Sequence, residues 1–143
     1  MGRTLLTLFY HPDEYHATAV GRELERETFD GSVVVYSYSS SNGRSPDRHL
    51  QQKAREQGCS CILTIHSDPT IHPNNYIIFM FSRERKVYLP AFRQLQEKFE
   101  AGTYGFVKPT AKPAQIDLEL SEQNTTEQSL SIVKELLTLI SNL

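Results

Sequence analysis

The chain has 143 residues, 38% hydrophobic, 22% charged and 10% aromatic, enough apolar material for one core and unlike a disordered or collagen-like chain. Lys and Arg number 15 against 17 Asp and Glu, a formal net charge of −2. That balance leaves no basic excess for phosphates and excludes nucleic acid and anionic membrane surfaces as default partners.

The elements follow in order. Thr4 to Tyr10 is an apolar run of strand length, ended by His-Pro. Asp13 to Thr28 reads as a helix, with Val20 and Leu24 four apart and Glu23, Glu25, Arg26 and Glu27 as a solvated face. Ser32 to Tyr38 is a β-branched and aromatic strand, followed by a turn-forming loop over Ser39 to Ser45. Pro46 suits the first turn of a second helix running to Gln57, with Gly58 past its end. Ser60 to His66 reads as a buried strand, Ser67 to Asn75 as a loop, and Tyr76 to Phe81 as another apolar strand. Arg83 to Lys86 reads as a polar turn before a helix over Leu89 to Glu100. A loop with Gly105, Pro109 and Pro113 leads to the alternating strand Gln115–Leu120. The stripe Leu130, Val133, Leu136, Leu137 and Ile140 marks a final helix from Thr126 to Ser141.

This alternation predicts one α/β domain over residues 1–143, a three-layer sandwich whose central, mostly parallel mixed sheet carries helices on both faces. No apolar run reaches the ~20 residues of a membrane span. The opening MGRTLLTLFYH has neither the apolar core of a secretory signal nor a myristoylation motif, so the expected location is cytoplasmic. Cys59 and Cys61 sit two apart in a strand, where alternation points them the same way; both read as reduced, inert core thiols.

In such sheets ligands bind beyond the carboxyl ends of the strands. The first strand ends in His11, with Pro12, Asp13 and Glu14 after it. His and Glu three apart on a helical turn can face one ion, and the same residues also make a sound helix start. The third strand ends in His66. Two imidazoles and a carboxylate leave an open tetrahedral position for water, the pattern of catalytic zinc. Asp117 and Glu119 share one face of the last strand, and an interior carboxylate there needs a partner.

The order His-x-x-Glu, an Arg-bearing loop, strand-His-Ser, then a late strand with Glu and a closing helix resembles the zinc carboxypeptidase superfamily. Within it, the likeness is to the succinylglutamate desuccinylase and aspartoacylase group, here in an unusually short form. His11-Pro-Asp-Glu14 resembles the metal-binding His-x-x-Glu, Ile65-His66-Ser67 the third ligand segment, and Leu118-Glu119-Leu120 the segment of the catalytic glutamate. The resemblance implies Zn2+ held by His11, Glu14 and His66, with Glu119 as general base in amide hydrolysis of a small peptide or N-acyl amino acid. Asn42-Gly-Arg44 and Asp47-Arg48 lie where the family grips a substrate carboxylate, so Arg44 or Arg48 would do so.

Two alternatives stay open. His-Pro-Asp-Glu is also similar to the start of zinc N-acetylglucosaminyl deacetylases, which would give Asp13 the ligand or base role. A non-catalytic binding domain on the same fold is the other. His16, His49 and His72 stay outside the metal set, His16 because its helix position turns it away from His11. Tyr104, between glycines 102 and 105, reads as an exposed loop tyrosine, with a mobile lid as the alternative.

Overall fold

A computed structural model describes residues 2–39, 47–108 and 110–143. Its elements run β1 (Arg3–Phe9), α1 (Tyr15–Glu25), β2 (Val33–Tyr38), α2 (Arg48–Glu56), β3 (Cys59–Asp68), β4 (Tyr76–Phe81), α3 (Arg85–Phe99), β5 (Thr103–Phe106), β6 (Ala114–Ser121) and α4 (Thr126–Ser141). The strands form one sheet in the order β2-β1-β3-β6-β4-β5. Pairs β1–β2, β1–β3, β3–β6 and β4–β5 are parallel, and β4 meets β6 antiparallel. The reversal follows from chain length. A parallel return needs a crossover of a dozen or more residues, and β3 and β4 are joined only by residues 69–75.

The expected α/β three-layer arrangement is therefore present: a mostly parallel mixed sheet with helices on both faces. The faces differ in chemistry. On one, Leu6, Leu8, Leu63, Ile65, Ile116 and Leu118 pack against α1, α3 and α4 in the main core. On the other, Leu5 and Ile62 meet Leu50 and Ala54 of α2 in a smaller cluster. Parallel partners share a face, so the pairings Thr7 with Thr64, Thr64 with Asp117 and His66 with Glu119 lay a polar stripe across this second face.

Several element boundaries differ from the sequence reading. α1 begins at Tyr15 because His11 to Glu14 form a turn, closed by Glu14 N–H donating to the His11 carbonyl at 3.0 Å. α2 begins at Arg48 behind Asp47, whose side chain accepts from His49 and Leu50 N–H; Pro46 lies outside the described residues. α3 begins at Arg85, so half of the expected polar turn is helical and Pro90 is interior. The proline costs one helical hydrogen bond. Tyr88, Phe92 and Leu95 are all fully buried at helical spacing, and burying them carries the helix back past it.

Residues 103–106, expected as loop, form edge strand β5 beside β4. The Tyr104 ring lies 5.7 Å from Phe92 and 6.2 Å from Phe106, so Tyr104 is a packed strand residue and not a mobile lid. Gly102 makes the turn into β5 at φ 97°, where a Cβ would come within 2.0 Å of the Tyr76 ring. The cysteines also depart from alternation. The β1–β3 register shifts between Arg3 and Thr4, and this bulge puts Cys59 in the α2 cluster and Cys61 in the main core.

Candidate active site

The site begins at the carboxyl end of β1. Phe9 closes the strand, its ring 5.7 Å from His11 in a stacked pair and 5.1 Å from His66. After it, Asp13 N–H donates to His11 Nδ1 at 3.1 Å. Glu14 occupies the N-cap of α1, yet its side chain makes no cap bond. Its Oε1 instead accepts from Ser67 N–H at 3.0 Å and lies 3.1 Å from His66 Nδ1.

Other residues satisfy the helix that Glu14 leaves uncapped. Glu122, from the turn after β6, accepts from His16 N–H at 3.0 Å, and Ser67 Oγ accepts from Ala17 N–H at 2.9 Å. Ser67 Oγ in turn donates to Glu122 at 2.8 Å. The first turn of α1 is thus held from a distance, and the Glu14 carboxylate is released to β3. Behind this bracket His16 Nε2 sits 2.6 Å from Ser129 Oγ, which accepts from Asn124 Nδ2. His16 is buried there as a core residue.

The electrostatics of the pair follow from its surroundings. Burial alone would push the His66 imidazole down; the hydrogen bond to Glu14 and the charges of Asp117, Glu14 and Glu119 outweigh it and hold its pKa above the ordinary value. Burial likewise raises Glu14, but the hydrogen bond and charge of His66, the Ser67 N–H and His11 bring it below the usual carboxylate range. Asp117 is buried and Glu119 half-buried on the neighbouring strand, Glu119 in register with His66.

Tyr38, the last residue of β2, is a member that the sequence reading did not single out. Its ring lies 5.3 Å from Phe9, and its hydroxyl is buried without a hydrogen-bond partner among the described residues. Burial first, then the charges of Asp47, Asp117 and Glu14, push its pKa well up, so it remains a donor across the physiological range. The clue was positional: a tyrosine ending a strand beside the one that ends in Phe9.

The structure therefore brings Glu14 and His66 into contact, with His11 beside them and Glu119 on the next strand. Arg48 is exposed in the first turn of α2, and Arg44 lies outside the described residues. Asp13, the ligand or base of the deacetylase alternative, has a side chain 88% exposed and 3.8 Å from His11 Nδ1. His72 is exposed, and His49 is exposed with Nε2 2.7 Å from the Tyr36 hydroxyl.

Zinc fits part of this donor set. Glu14 and His66 are both zinc-ligand types, held together by a hydrogen bond of 3.1 Å between Oε1 and Nδ1. His11 is engaged otherwise, since its Nδ1 accepts the Asp13 N–H. Among the described residues no group of three or more His, Cys, Asp or Glu is arranged to hold a metal. Thiol chemistry has no comparable basis. Cys61 is fully buried with its pKa pushed up to about 12 by burial, and Cys59 is buried and also raised.

No family model and no curated protein matches the sequence. Solved structures do match in fold. A pyrrolidone carboxyl peptidase from Fervidobacterium islandicum superposes with a TM-score of 0.65 at 10% identity, covering 99% of each chain. A protein from Shewanella denitrificans, provisionally described as a metallopeptidase, gives 0.61 at 10% identity over 98% of this chain and 74% of its own. The catalytic domain of CwlV, an N-acetylmuramoyl-L-alanine amidase from Bacillus (Paenibacillus) polymyxa, gives 0.58 at 10% identity over 99% and 97%. At such identities the likeness is one of fold, and the expected desuccinylase grouping rests on the motif order alone. No helix is long and apolar enough to cross a membrane among the described residues.

Proposed function

We propose that the protein is a zinc-dependent hydrolase of amide bonds, acting on a small peptide or N-acyl amino acid that bears a carboxylate. The observation that carries this reading is the Glu14–His66 pair at the carboxyl end of the sheet, two residues that lie 52 apart in sequence and 3.1 Å apart in space. The amidase and peptidases of similar fold support the reaction class. Both thiols are buried with raised pKa values, which favours an activated water over a cysteine as the nucleophile.

His11, Glu14 and His66 would hold the ion. When bound, zinc supplies Lewis acidity and lowers the pKa of a water it holds from ~15.7 to about 7. Glu119, in register with His66, takes a proton from the attacking water and later delivers it to the leaving amine nitrogen. The Tyr38 hydroxyl donates to the carbonyl oxygen as charge develops on it. Arg44 or Arg48 anchors the substrate carboxylate by a bidentate grip.

Elemental analysis of purified protein is the first test, with one zinc per chain expected. The second is hydrolysis of a panel containing a dipeptide, N-acetyl and N-succinyl amino acids, N-acetylmuramoyl-L-alanine and a pyroglutamyl amide. Turnover that disappears in Glu119→Gln while zinc stays bound supports the reading. Stoichiometric zinc without turnover of any member would favour a non-catalytic binding protein, and a zinc-free protein would remove the mechanism.

A further inference from the structure

β4 leaves the sheet at the end opposite the Glu14–His66 pair, because Phe81 is in register with Gln115 and Tyr76 with Leu120. At ~3.3 Å per residue the five steps from Tyr76 to Phe81 put the two ends about 17 Å apart. There a pocket of about 820 Å³ is lined by Ser82, Arg83, Arg85, Lys108 and Thr110. It is an open, solvent-facing depression with the volume of a small-molecule site. Three cations converge on it in a chain whose net charge is −2, so they are not part of a generally basic surface.

None of the three is paired with a carboxylate among the described residues, whereas Arg26, Lys98 and Lys134 each have a glutamate within 3.1 Å. Glu84, between the two arginines in sequence, acts electrostatically on the core groups Cys61 and Tyr88. The Arg85 guanidinium lies 5.1 Å from the centre of the Phe106 ring, which orients its planar fork of donors. Ser82 Oγ accepts from Glu84 N–H at 2.9 Å and keeps its own proton to donate. The N-cap of α3 is Glu84, whose side chain makes no cap bond; no acidic residue follows in the first turn, which opens on Arg85 and Lys86. Cations at that end oppose the helix dipole, and an anion between them offsets both.

We propose that this pocket binds a small ligand through a phosphate or diphosphate group, gripped by Arg83, Arg85 and Lys108, with the Ser82 and Thr110 hydroxyls as further donors. The site is separate from the hydrolytic centre and does not depend on that reading.

The test is titration of the purified protein with pyrophosphate at constant ionic strength, followed by calorimetry and by amide NMR shifts, with citrate and chloride as parallel titrants. Saturable one-to-one binding of pyrophosphate is expected, with shifts at Ser82–Lys86, Lys108 and Thr110. Arg85→Ala and Lys108→Ala should each weaken it about tenfold, and Arg93→Ala on the exposed face of α3 should leave it unchanged. All three positions are exposed, so the fold tolerates the changes. Absence of saturable binding, shifts that chloride reproduces, or unaltered affinity in both pocket variants would overturn the proposal. So would citrate binding as tightly as pyrophosphate, or shifts centred on His11, Glu14 and His66.

Discussion

The two faces of the central strands carry opposite chemistries on the same backbone. Leu63, Ile65, Ile116 and Leu118 point into the main core beneath three helices, while Thr64, His66, Asp117 and Glu119 alternate with them on the face that α2 covers in part. Each apolar side chain there contributes roughly 1.5–3 kcal/mol by leaving water. Each polar one must recover its desolvation through partners and adds little net stability. The difference teaches that the first face holds the fold and the second spends part of that stability on a prearranged set of acids, imidazole and phenol.

Substitutions on the two faces should separate along this line. Glu119→Gln is expected to lower amide hydrolysis by about 10²–10⁴-fold, the usual contribution of a general base, with the melting temperature nearly unchanged. A large loss of stability instead would make Glu119 a structural residue. One position away, Leu118→Ala should cost about 2–5 kcal/mol in urea unfolding, because Leu118 is fully buried. An effect below 1 kcal/mol would show that the helical layer repacks freely.

Smaller effects sharpen the contrast. Tyr38→Phe should reduce kcat about tenfold while leaving KM and the melting temperature close to wild type, as expected for a donor used at the transition state. Equal loss in KM would make the hydroxyl a ground-state contact. Thr7 Oγ1 lies 2.7 Å from Thr64 Oγ1 and 3.1 Å from the Leu63 carbonyl. Thr7→Val removes both contacts and should cost about 1–3 kcal/mol in urea unfolding, since the buried partners lose a hydrogen bond.

The two buried histidines titrate in opposite directions. His66 is held above the ordinary 6.5, so in the metal-free protein its stabilising contribution is complete below 6.5 and lost as pH rises through its folded value. His16 is pushed below 6.5 by burial, with Glu122 opposing; the unfolded chain then takes up the proton first, and stability falls as pH drops below 6.5. Imidazole NMR titration checks both. A His16 titration midpoint above that of His66 would reverse the assignment of the two environments.

The sequence by itself determined much of this architecture, because hydrophobic period is a local property. The bounds of β4 and α4 agree with the apolar run 76–81 and the stripe of Leu130, Val133, Leu136, Leu137 and Ile140. The alternation of strand and helix gave the α/β class, and His11, Glu14, His66 and Glu119 were legible as polar residues near strand ends, although β3 runs on to Asp68, past the expected end at His66. Tertiary structure decided the rest. Glu14 reads as a helix cap until Glu122 and Ser67, distant in sequence, take over that work and free it for His66. Arg83 and Arg85 read as a polar turn until the antiparallel course of β4 brings them beside Lys108. Strand order and register set these meetings, and both depend on how the whole core packs, which no local spacing encodes.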